Sequence, residues 1–235
     1  MNEGEKLAGK IQWNSSLDQE LFMASFFDDG ITHESELLQF LSHQESMQAA
    51  KRLVADERRH YIVRRWFQRL FVASVLKIKD RPDKLKLIHA LDTRPHCLDA
   101  PQLQLSFSTS GAMMVACGSF NGAVGIDIER KRHINNAAQL ATRFFSAIEA
   151  NALAAMPQAE QSANFLLHWT AKEAGLKAVG QGIVSDLNRF QLTRLSREKP
   201  YEIQELSYSP DCWTLNFMDF LPEYVTALVQ KNDVD

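Results

Sequence analysis

The sequence has 235 residues, of which 45% are apolar and 23% are charged, and its formal net charge is −3. This composition excludes intrinsic disorder and fibrous architectures, and the length is enough for one large domain or two of half that size. The near balance of acidic and basic residues also argues against general nucleic-acid binding, which draws on an excess of basic side chains.

Cysteine usage and hydropathy indicate the cellular compartment. Cys97, Cys117 and Cys212 have no C-x-x-C spacing, and their odd number does not fit a disulfide framework. The N-terminal segment lacks the apolar core of a signal peptide, and no stretch approaches the ~20 apolar residues of a membrane span. We therefore expect a cytoplasmic protein that does not associate with membranes or nucleic acids.

The first half of the chain contains one long amphipathic pattern. Apolar residues recur at helical spacing from about Ser46 to Ile78, and Pro82 marks the end of the predicted helix. Five arginines lie on and around it, and they form either a solvated helix face or an anion site. They are Arg58, Arg59, Arg64, Arg65 and Arg69.

The middle of the chain alternates between apolar and polar residues, which predicts strands over about 103–107, 113–119 and 124–129. Asn121-Gly122 separates the last two runs and predicts a β-hairpin, because both central residues of a type I′ turn need a positive φ. On the third strand, Asp127 and Glu129 fall on the face opposite Ile126 and Ile128.

Two helices are predicted next. The first covers Ala137 to Phe144 and continues or restarts near Ser146. The second runs from Ser162 to about Val179 and is closed by Gly180 and Gly182, since glycine accepts a left-handed C-terminal cap. The remaining chain alternates as sheet. We expect an α+β fold of two similar halves, 1–121 and 122–235.

Asp127 and Glu129 are the first candidates for chemistry. Residues two apart on a strand project from the same face, with Cα atoms about 7 Å apart. A divalent cation with oxygen ligands would fit between such carboxylates, particularly beside a phosphate substrate. The alternative is a solvent-facing acidic edge of the sheet.

The second candidate lies on the last predicted helix. Trp169, Glu173 and Lys177 are spaced i, i+4, i+8 along one helix face. Alternatively, Trp169 is a core residue, and Glu173 and Lys177 form a surface ion pair in the favourable order.

Three ordered motifs carry a family resemblance. GIDIE at residues 125–129, RFFSAIE at 143–149 and WTAKEAGLK at 169–177 together resemble the phosphopantetheinyl transferases. The chain length is similar to their long, monomeric, surfactin-synthetase-activating type. The resemblance implies a fold of two pseudo-symmetric α+β halves with coenzyme A in the cleft between them.

The resemblance also implies a reaction and its participants. The 4′-phosphopantetheine of coenzyme A is transferred to a serine of an apo acyl or peptidyl carrier protein, and adenosine 3′,5′-bisphosphate is released. The implied Mg²⁺ site, with Mn²⁺ as an alternative ion, consists of Asp127, Glu129 and Glu173. Lys177 is implied to contact the coenzyme's phosphates, and Lys172 to neutralise charge or to act on the serine proton.

Glu149 has two roles that can coexist. Ser146-Ala147-Ile148-Glu149 has the sequence of a capping box, in which the glutamate accepts from a backbone N–H at the helix start. In the resembling family the matching glutamate is a candidate general base for the carrier serine.

Two segments depart from the family pattern. Many members have Ser-His-Ser where this chain has Ser108-Thr109-Ser110, so an uncharged hydroxyl replaces an imidazole that would contact phosphate, and coenzyme A binding is expected to be weaker or differently distributed. Where the family has Gly-Lys-Pro, this chain has Thr93-Arg94-Pro95. Arg94 keeps the positive charge and can bind a phosphate through two hydrogen bonds.

Two other function classes remain open. A metal-dependent phosphohydrolase would also use an Asp-x-Glu pair with a distant glutamate. A coenzyme A or carrier-protein binding protein without catalysis would explain Thr109. The sequence has no P-loop motif and no H-E-x-x-H zinc motif, which argues against those two classes.

Overall fold

The computed structural model describes residues 8–15, 21–29, 34–79, 81–89, 94–180, 184–193, 201–206 and 213–231. In these ranges the chain has the predicted α+β architecture, with helices packed on two antiparallel sheets. None of the helices in the described ranges combines the length and apolarity that a membrane span requires.

The chain before residue 120 builds a four-stranded antiparallel sheet with the order β1-β2-β6-β5. Its helices bury Phe26, Trp66, Phe67 and Phe71 against the sheet. The strands are β1 Gln12–Ser15, β2 Leu21–Phe27, β5 Gln104–Ser110 and β6 Met113–Ser119, with a small separate pair β3 Leu87–Ile88 and β4 His96–Cys97. The helices are α1 Glu34–Leu37, α2 His43–Ala50 and α3 Ala55–Val75.

The prediction of one helix from Ser46 to Ile78 is wrong, because the chain forms α2 and α3 with a break at 51–54. Val54 is extended at the start of α3, and α2 begins at its own capping box. The break turns α2 back against α3, so Glu45 contacts Arg65 and Arg69.

The chain after residue 123 builds a three-stranded antiparallel sheet, β10-β11-β7, on which a long helix packs. The helices of this part confirm the predicted ones, although the last begins at Gln158 and not at Ser162. Gly180 ends it with φ +78°, while Gly182 lies outside the described residues. The elements are β7 Val124–Arg130, α4 Ala137–Phe144, α5 Ala147–Ala154, α6 Gln158–Ala178, β8 Phe190–Thr193, β9 Glu202–Glu205, β10 Trp213–Met218 and β11 Tyr224–Lys231.

The predicted hairpin at Asn121-Gly122 is wrong. Gly122 has the expected positive φ of 80°, but β6 pairs with β2 and β5, whereas β7 pairs with β11. The turn therefore carries the chain from one sheet to the other. A turn signal specifies local backbone dihedrals, whereas the partner of a strand is chosen by packing against distant segments. The hairpin of this region lies at Gly111, between β5 and β6.

The two parts of the chain repeat one arrangement of helices. In each, an eight-residue helix with a capping box precedes a helix of 21 residues. The capping glutamate is buried in both and pairs with a basic residue of the long helix: Glu45 with Arg65 and Arg69, and Glu149 with Lys172. Such a repetition is what two pseudo-symmetric halves would produce.

Candidate active site

Strand β7 supplies the acidic residues of the site. Alternation buries Val124, Ile126 and Ile128 in a core shared with β2 and β6. Asp127 and Glu129 point the other way, as the sequence predicts for a strand. Asp127 is only 6% exposed. The solvent-facing edge is therefore excluded for Asp127.

Gly125 brings helix α6 against β7. A Cβ atom at this position would lie 2.0 Å from the carbonyl oxygen of Ala174 and 2.5 Å from the amide nitrogen of Ala178. Only a residue without a side chain permits this approach of strand and helix. Glu173 and Lys177 each precede one of these contacting residues by one position. The close packing therefore places both side chains over the carboxylates of β7.

Asp127, Lys177 and Ser108 form a closed polar triangle. The Lys177 ammonium donates to Asp127 Oδ1 at 2.6 Å and to Ser108 Oγ at 3.0 Å. Ser108 Oγ donates to the same Asp127 oxygen at 2.7 Å. The structure thus brings together one residue each from β5, β7 and α6, all of which the sequence analysis named.

Glu129 and Glu173 extend the acidic cluster. Arg132 donates to Glu129 Oε2 at 2.7 Å, and Ser110 Oγ lies 3.5 Å from that oxygen. Burial, and next the charge of Asp127, raise the pKa of Glu173 to about 7, with a smaller contribution from Glu129. Glu173 is therefore close enough to the carboxylates of β7 for their charges to act on its ionisation.

A row of serines on β5 was not identified from the sequence as a unit. Ser106 Oγ accepts from the Ile126 amide at 3.1 Å, and Ser110 Oγ accepts from the Arg130 amide at 3.0 Å, so with Ser108 they join β5 to β7. Thr109 lies on the other face of β5 and is exposed. The sequence feature that could have identified this row is a serine at every second position of residues 106–110.

The acidic cluster of Asp127, Glu129 and Glu173 is the candidate cation site. Among the described residues no group of three or more His, Cys, Asp or Glu side chains is arranged to hold a metal ion. Instead, Lys177 pairs with Asp127, and Arg132 pairs with Glu129. All donors in the cluster are carboxylate or hydroxyl oxygens, and burial, followed by the charge of Asp127, raises the pKa of Glu173. Such oxygen donors are of the kind that a hard divalent cation takes, but in this arrangement a cation would have to displace Lys177 and Arg132 from the carboxylates of Asp127 and Glu129.

Glu149 and Lys172 form a separate buried pair. Lys172 is fully buried and donates to Glu149 Oε2 at 2.7 Å and to the carbonyl oxygens of Phe190 and Leu187 at 2.6 and 3.2 Å. Glu149 also accepts from the amides of Ser146 and Leu192. Burial lowers the pKa of Lys172. These contacts face α5 and β8, whereas Glu173 and Lys177 face β7.

Trp169 and two arginines of the cluster, Arg65 and Arg69, have structural roles, whereas Arg64 is exposed and Arg58 and Arg59 pair with Glu34 and Asp28. Trp169 packs edge-on against Phe144 and stacks on Phe165, which confirms the core alternative for this residue. Arg65 and Arg69 are buried against Glu45, so they form neither a solvated helix face nor an open anion site.

Arg94 lies beside the end of α6. Its guanidinium donates to the carbonyl oxygens of Lys177 and Ala178 and to the side chain of Gln104. The structure therefore places Arg94 next to the backbone of Lys177.

Comparison with known families identifies the second part of the chain. Residues 123–229 match the model of the 4′-phosphopantetheinyl transferase superfamily. This range contains β7, α5 and α6, and hence Asp127, Glu129, Glu149 and Glu173.

Curated relatives agree with this match. The chain is 26% identical over 191 residues to 4′-phosphopantetheinyl transferase HetI of Nostoc sp., covering 80% of this chain and 76% of HetI. It is 39% identical over 106 residues to 4′-phosphopantetheinyl transferase psf-1 of Bacillus pumilus, and 32% over 111 residues to 4′-phosphopantetheinyl transferase Sfp of Bacillus subtilis. These two alignments span 43% and 48% of the relatives and 45% and 47% of this chain.

Proposed function

We propose that the chain, whose residues 123–229 match the model of the 4′-phosphopantetheinyl transferase superfamily, transfers the 4′-phosphopantetheine group of coenzyme A to a serine of an apo carrier protein. The observation that carries this proposal is the cluster of Asp127, Glu129 and Glu173 beside Lys177 and Ser108. Carboxylates, an ammonium and a hydroxyl around one point are parts suited to phosphate chemistry.

The reaction exchanges the phosphoanhydride bond of the coenzyme's pyrophosphate for a phosphoester bond to serine. The serine oxygen of the carrier forms a bond to the phosphorus nearest the pantetheine, and the bond from that phosphorus to the bridging pyrophosphate oxygen breaks. Adenosine 3′,5′-bisphosphate leaves with the electron pair, and we assign the serine proton to solvent because Glu149 is buried and paired with Lys172. The enzyme contributes mainly position and charge.

We propose a separate role for each residue of the site. Asp127, Glu129 and Glu173 would hold Mg²⁺, or Mn²⁺ in its place, which neutralises charge on the pyrophosphate when bound. The Lys177 ammonium and the Ser108 hydroxyl, which lie 3.0 Å apart, bind the coenzyme's phosphate oxygens. Thr109 is exposed and lies on the face of β5 opposite Ser108, so we assign it no phosphate contact.

Glu149 and Lys172 are better explained as part of the fold. The pair is buried, and a matching group of Glu45 with Arg65 and Arg69 exists in the first part of the chain. We therefore propose that Glu149 acts as a helix cap and Lys172 as its buried counter-ion.

The proposal extends to setting and partners. We propose a monomeric enzyme of the cytoplasm, of the long Sfp-like type, that acts on acyl or peptidyl carrier proteins of fatty-acid, polyketide or nonribosomal-peptide synthesis. The match to HetI over 80% of the chain supports the long type.

The test is intact-mass spectrometry of apo acyl and peptidyl carrier proteins incubated with the protein, coenzyme A and Mg²⁺. We expect a gain of one phosphopantetheine that a chelator abolishes and that Asp127→Asn does not support. Coenzyme A binding without any carrier modification would identify a non-catalytic binding protein. Cleavage of a generic phosphodiester without a carrier would identify a phosphohydrolase.

A further inference from the structure

Arg94 connects the two parts of the chain through main-chain contacts. One guanidinium nitrogen, Nη2, donates to the carbonyl oxygen of Lys177 at 3.1 Å and to that of Ala178. The other, Nη1, donates to Oε1 of Gln104, the first residue of β5. Arg94 thus holds the last turn of α6 against β5, which also carries Ser108.

The electrostatics of this contact suit a helix terminus. The last carbonyls of an α-helix lack partners within the helix and carry a partial negative charge. Within the described residues no carboxylate contacts Arg94, and burial lowers the pKa of its guanidinium. The C-terminal end of α6 therefore serves as the counter-charge for Arg94.

The backbone beyond α6 is shaped around the guanidinium. Gly180 turns the chain out of the helix with φ +78°, and a Cβ atom there would lie 3.7 Å from Arg94 Nε. Arg94 Nε has no hydrogen-bond partner among the described residues. The hydrogen bonds of Arg94 in the structure therefore come from its two terminal nitrogens, and they go to Gln104 and to the end of α6.

The residue held through its carbonyl is also a residue of the proposed site. Lys177 presents its carbonyl oxygen to Arg94, while its ammonium lies 2.6 Å from Asp127. Glu173 lies one helical turn earlier on the same helix. A shift of the last turn of α6 would therefore move Lys177 relative to Asp127, and misplacement by about 1 Å can reduce a rate by about 100-fold.

We propose that Arg94 is a positioning residue that fastens the C-terminal end of α6 to β5 and so fixes Lys177 opposite Asp127 and Ser108. The effect on turnover rests on the proposed transferase function, whereas the fastening itself does not. This role differs from direct phosphate binding, which the family resemblance implies for Arg94.

The two roles make different demands on the side chain. Phosphate binding depends largely on positive charge, so lysine would retain much of it. Fastening α6 uses two separate nitrogens, one at the carbonyl oxygens of Lys177 and Ala178 and the other at Gln104, whereas the donors of an ammonium all diverge from a single atom. Arg94→Lys therefore separates the roles, and Arg94→Gln removes the charge as well.

The experiment is hydrogen exchange of the protein without coenzyme A, followed by mass spectrometry of peptides that cover residues 174–180. We expect Arg94→Lys to speed exchange of these amides about tenfold, the scale of one lost hydrogen bond to a charged donor. Gln104→Ala, a milder variant that keeps the arginine, is expected to change exchange in the same direction by less. Arg58→Lys, in a part-exposed pair with Glu34, is the matched control and is expected to leave these peptides unchanged.

Steady-state kinetics complete the test. We expect Arg94→Lys to lower kcat with little change in the KM for coenzyme A. Unchanged exchange in Arg94→Lys, together with a raised KM and normal kcat in Arg94→Gln, would overturn the proposal in favour of a phosphate ligand. If the unaltered protein modifies no carrier while exchange still depends on Arg94, the proposed function fails and the positioning role stands.

Discussion

The Lys177 ammonium lies 2.6 Å from Asp127 Oδ1, and this contact joins the last turn of helix α6 to the middle of strand β7. The two residues are 50 positions apart in the sequence. Their contact depends on Gly125, which lets α6 lie directly on β7, and it is shared with Ser108 of the neighbouring sheet.

Removal of the ammonium tests this contact. Lys177→Met leaves the nearly buried Asp127 carboxylate without its cation, so we expect the free energy of unfolding to fall by about 1–3 kcal/mol. Transfer activity, measured as kcat/KM for coenzyme A, should fall by about 100-fold or more, since a charge donor to phosphate is lost. Lys84→Met, at an exposed pair with Asp83, is the control. Unaltered kcat/KM in Lys177→Met would exclude a phosphate contact.

Gly125→Ala tests the approach of helix to strand. The new methyl group would lie 2.0 Å from the Ala174 carbonyl oxygen, so α6 must move. We expect the free energy of unfolding, measured by urea denaturation, to fall by at least the ~1–3 kcal/mol that overpacking costs. The folded fraction should also lose activity.

Two further variants make the Gly125 prediction specific. Adding Ala174→Gly should not restore stability, because the contact is with main-chain atoms. Gly118→Ala should cost less, since its nearest neighbours are side-chain atoms of Phe71 and Leu103 at 3.2 and 3.4 Å, which can shift. Equal losses in Gly118→Ala and Gly125→Ala would contradict the steric explanation.

Lys172→Met tests whether the buried pair is structural. It leaves Glu149 without a cation and removes the donor to two carbonyl oxygens, so we expect a loss of about 3–5 kcal/mol in the free energy of unfolding. Arg69→Met should cause a smaller loss, because Arg65 still pairs with Glu45. Activity per folded molecule should stay close to normal in both variants at low temperature. A stable but inactive Lys172→Met would instead assign Lys172 to the chemistry.

His89 is expected to contribute a pH dependence to stability. Arg65 Nη1 lies 3.0 Å from His89 Nδ1, and since arginine can only donate, this nitrogen accepts and the ring is neutral. Partial burial of the ring, and then the charges of Arg65 and Arg64, lower the pKa of His89 from 6.5 to about 4, against a smaller opposing effect of Glu45.

The sign follows from proton uptake. Between pH 6.5 and about 4 the unfolded chain binds a proton at His89 that the folded protein does not. The stabilisation is complete above pH 6.5 and is lost as the pH falls toward 4. His89→Gln should therefore lose less stability than the unaltered protein over this interval in urea titrations. An NMR titration of His89 near its usual pKa would contradict this.

The sequence contained most of the local structure of the second part of the chain. The helix spacing of Ala137 to Phe144, the capping box at Ser146 and the glycine stop at Gly180 all depend on contacts within one or two turns, and the structure confirms them. Alternation likewise placed Asp127 and Glu129 on one face of β7, because side-chain direction in a strand has a period of two.

The predictions that were wrong concern contacts between residues far apart in the sequence. The long helix predicted over Ser46 to Ile78 breaks at 51–54 to let Glu45 reach Arg65 and Arg69. The turn at Gly122 leads into another sheet. Neither the partner of a strand nor a buried ion pair between distant helices is encoded in neighbouring residues.

The sequence by itself determined the acidic motif on β7 and the helix that faces it, because each depends on short-range spacing, and these motifs resemble the 4′-phosphopantetheinyl transferases, whose family model matches residues 123–229. Only the tertiary structure decided that Lys172 turns toward Glu149 while Lys177 reaches Asp127, and that Arg94 holds the end of α6. Those contacts depend on how closely α6 packs on β7 and β5, and the close approach at Gly125 fixes that distance.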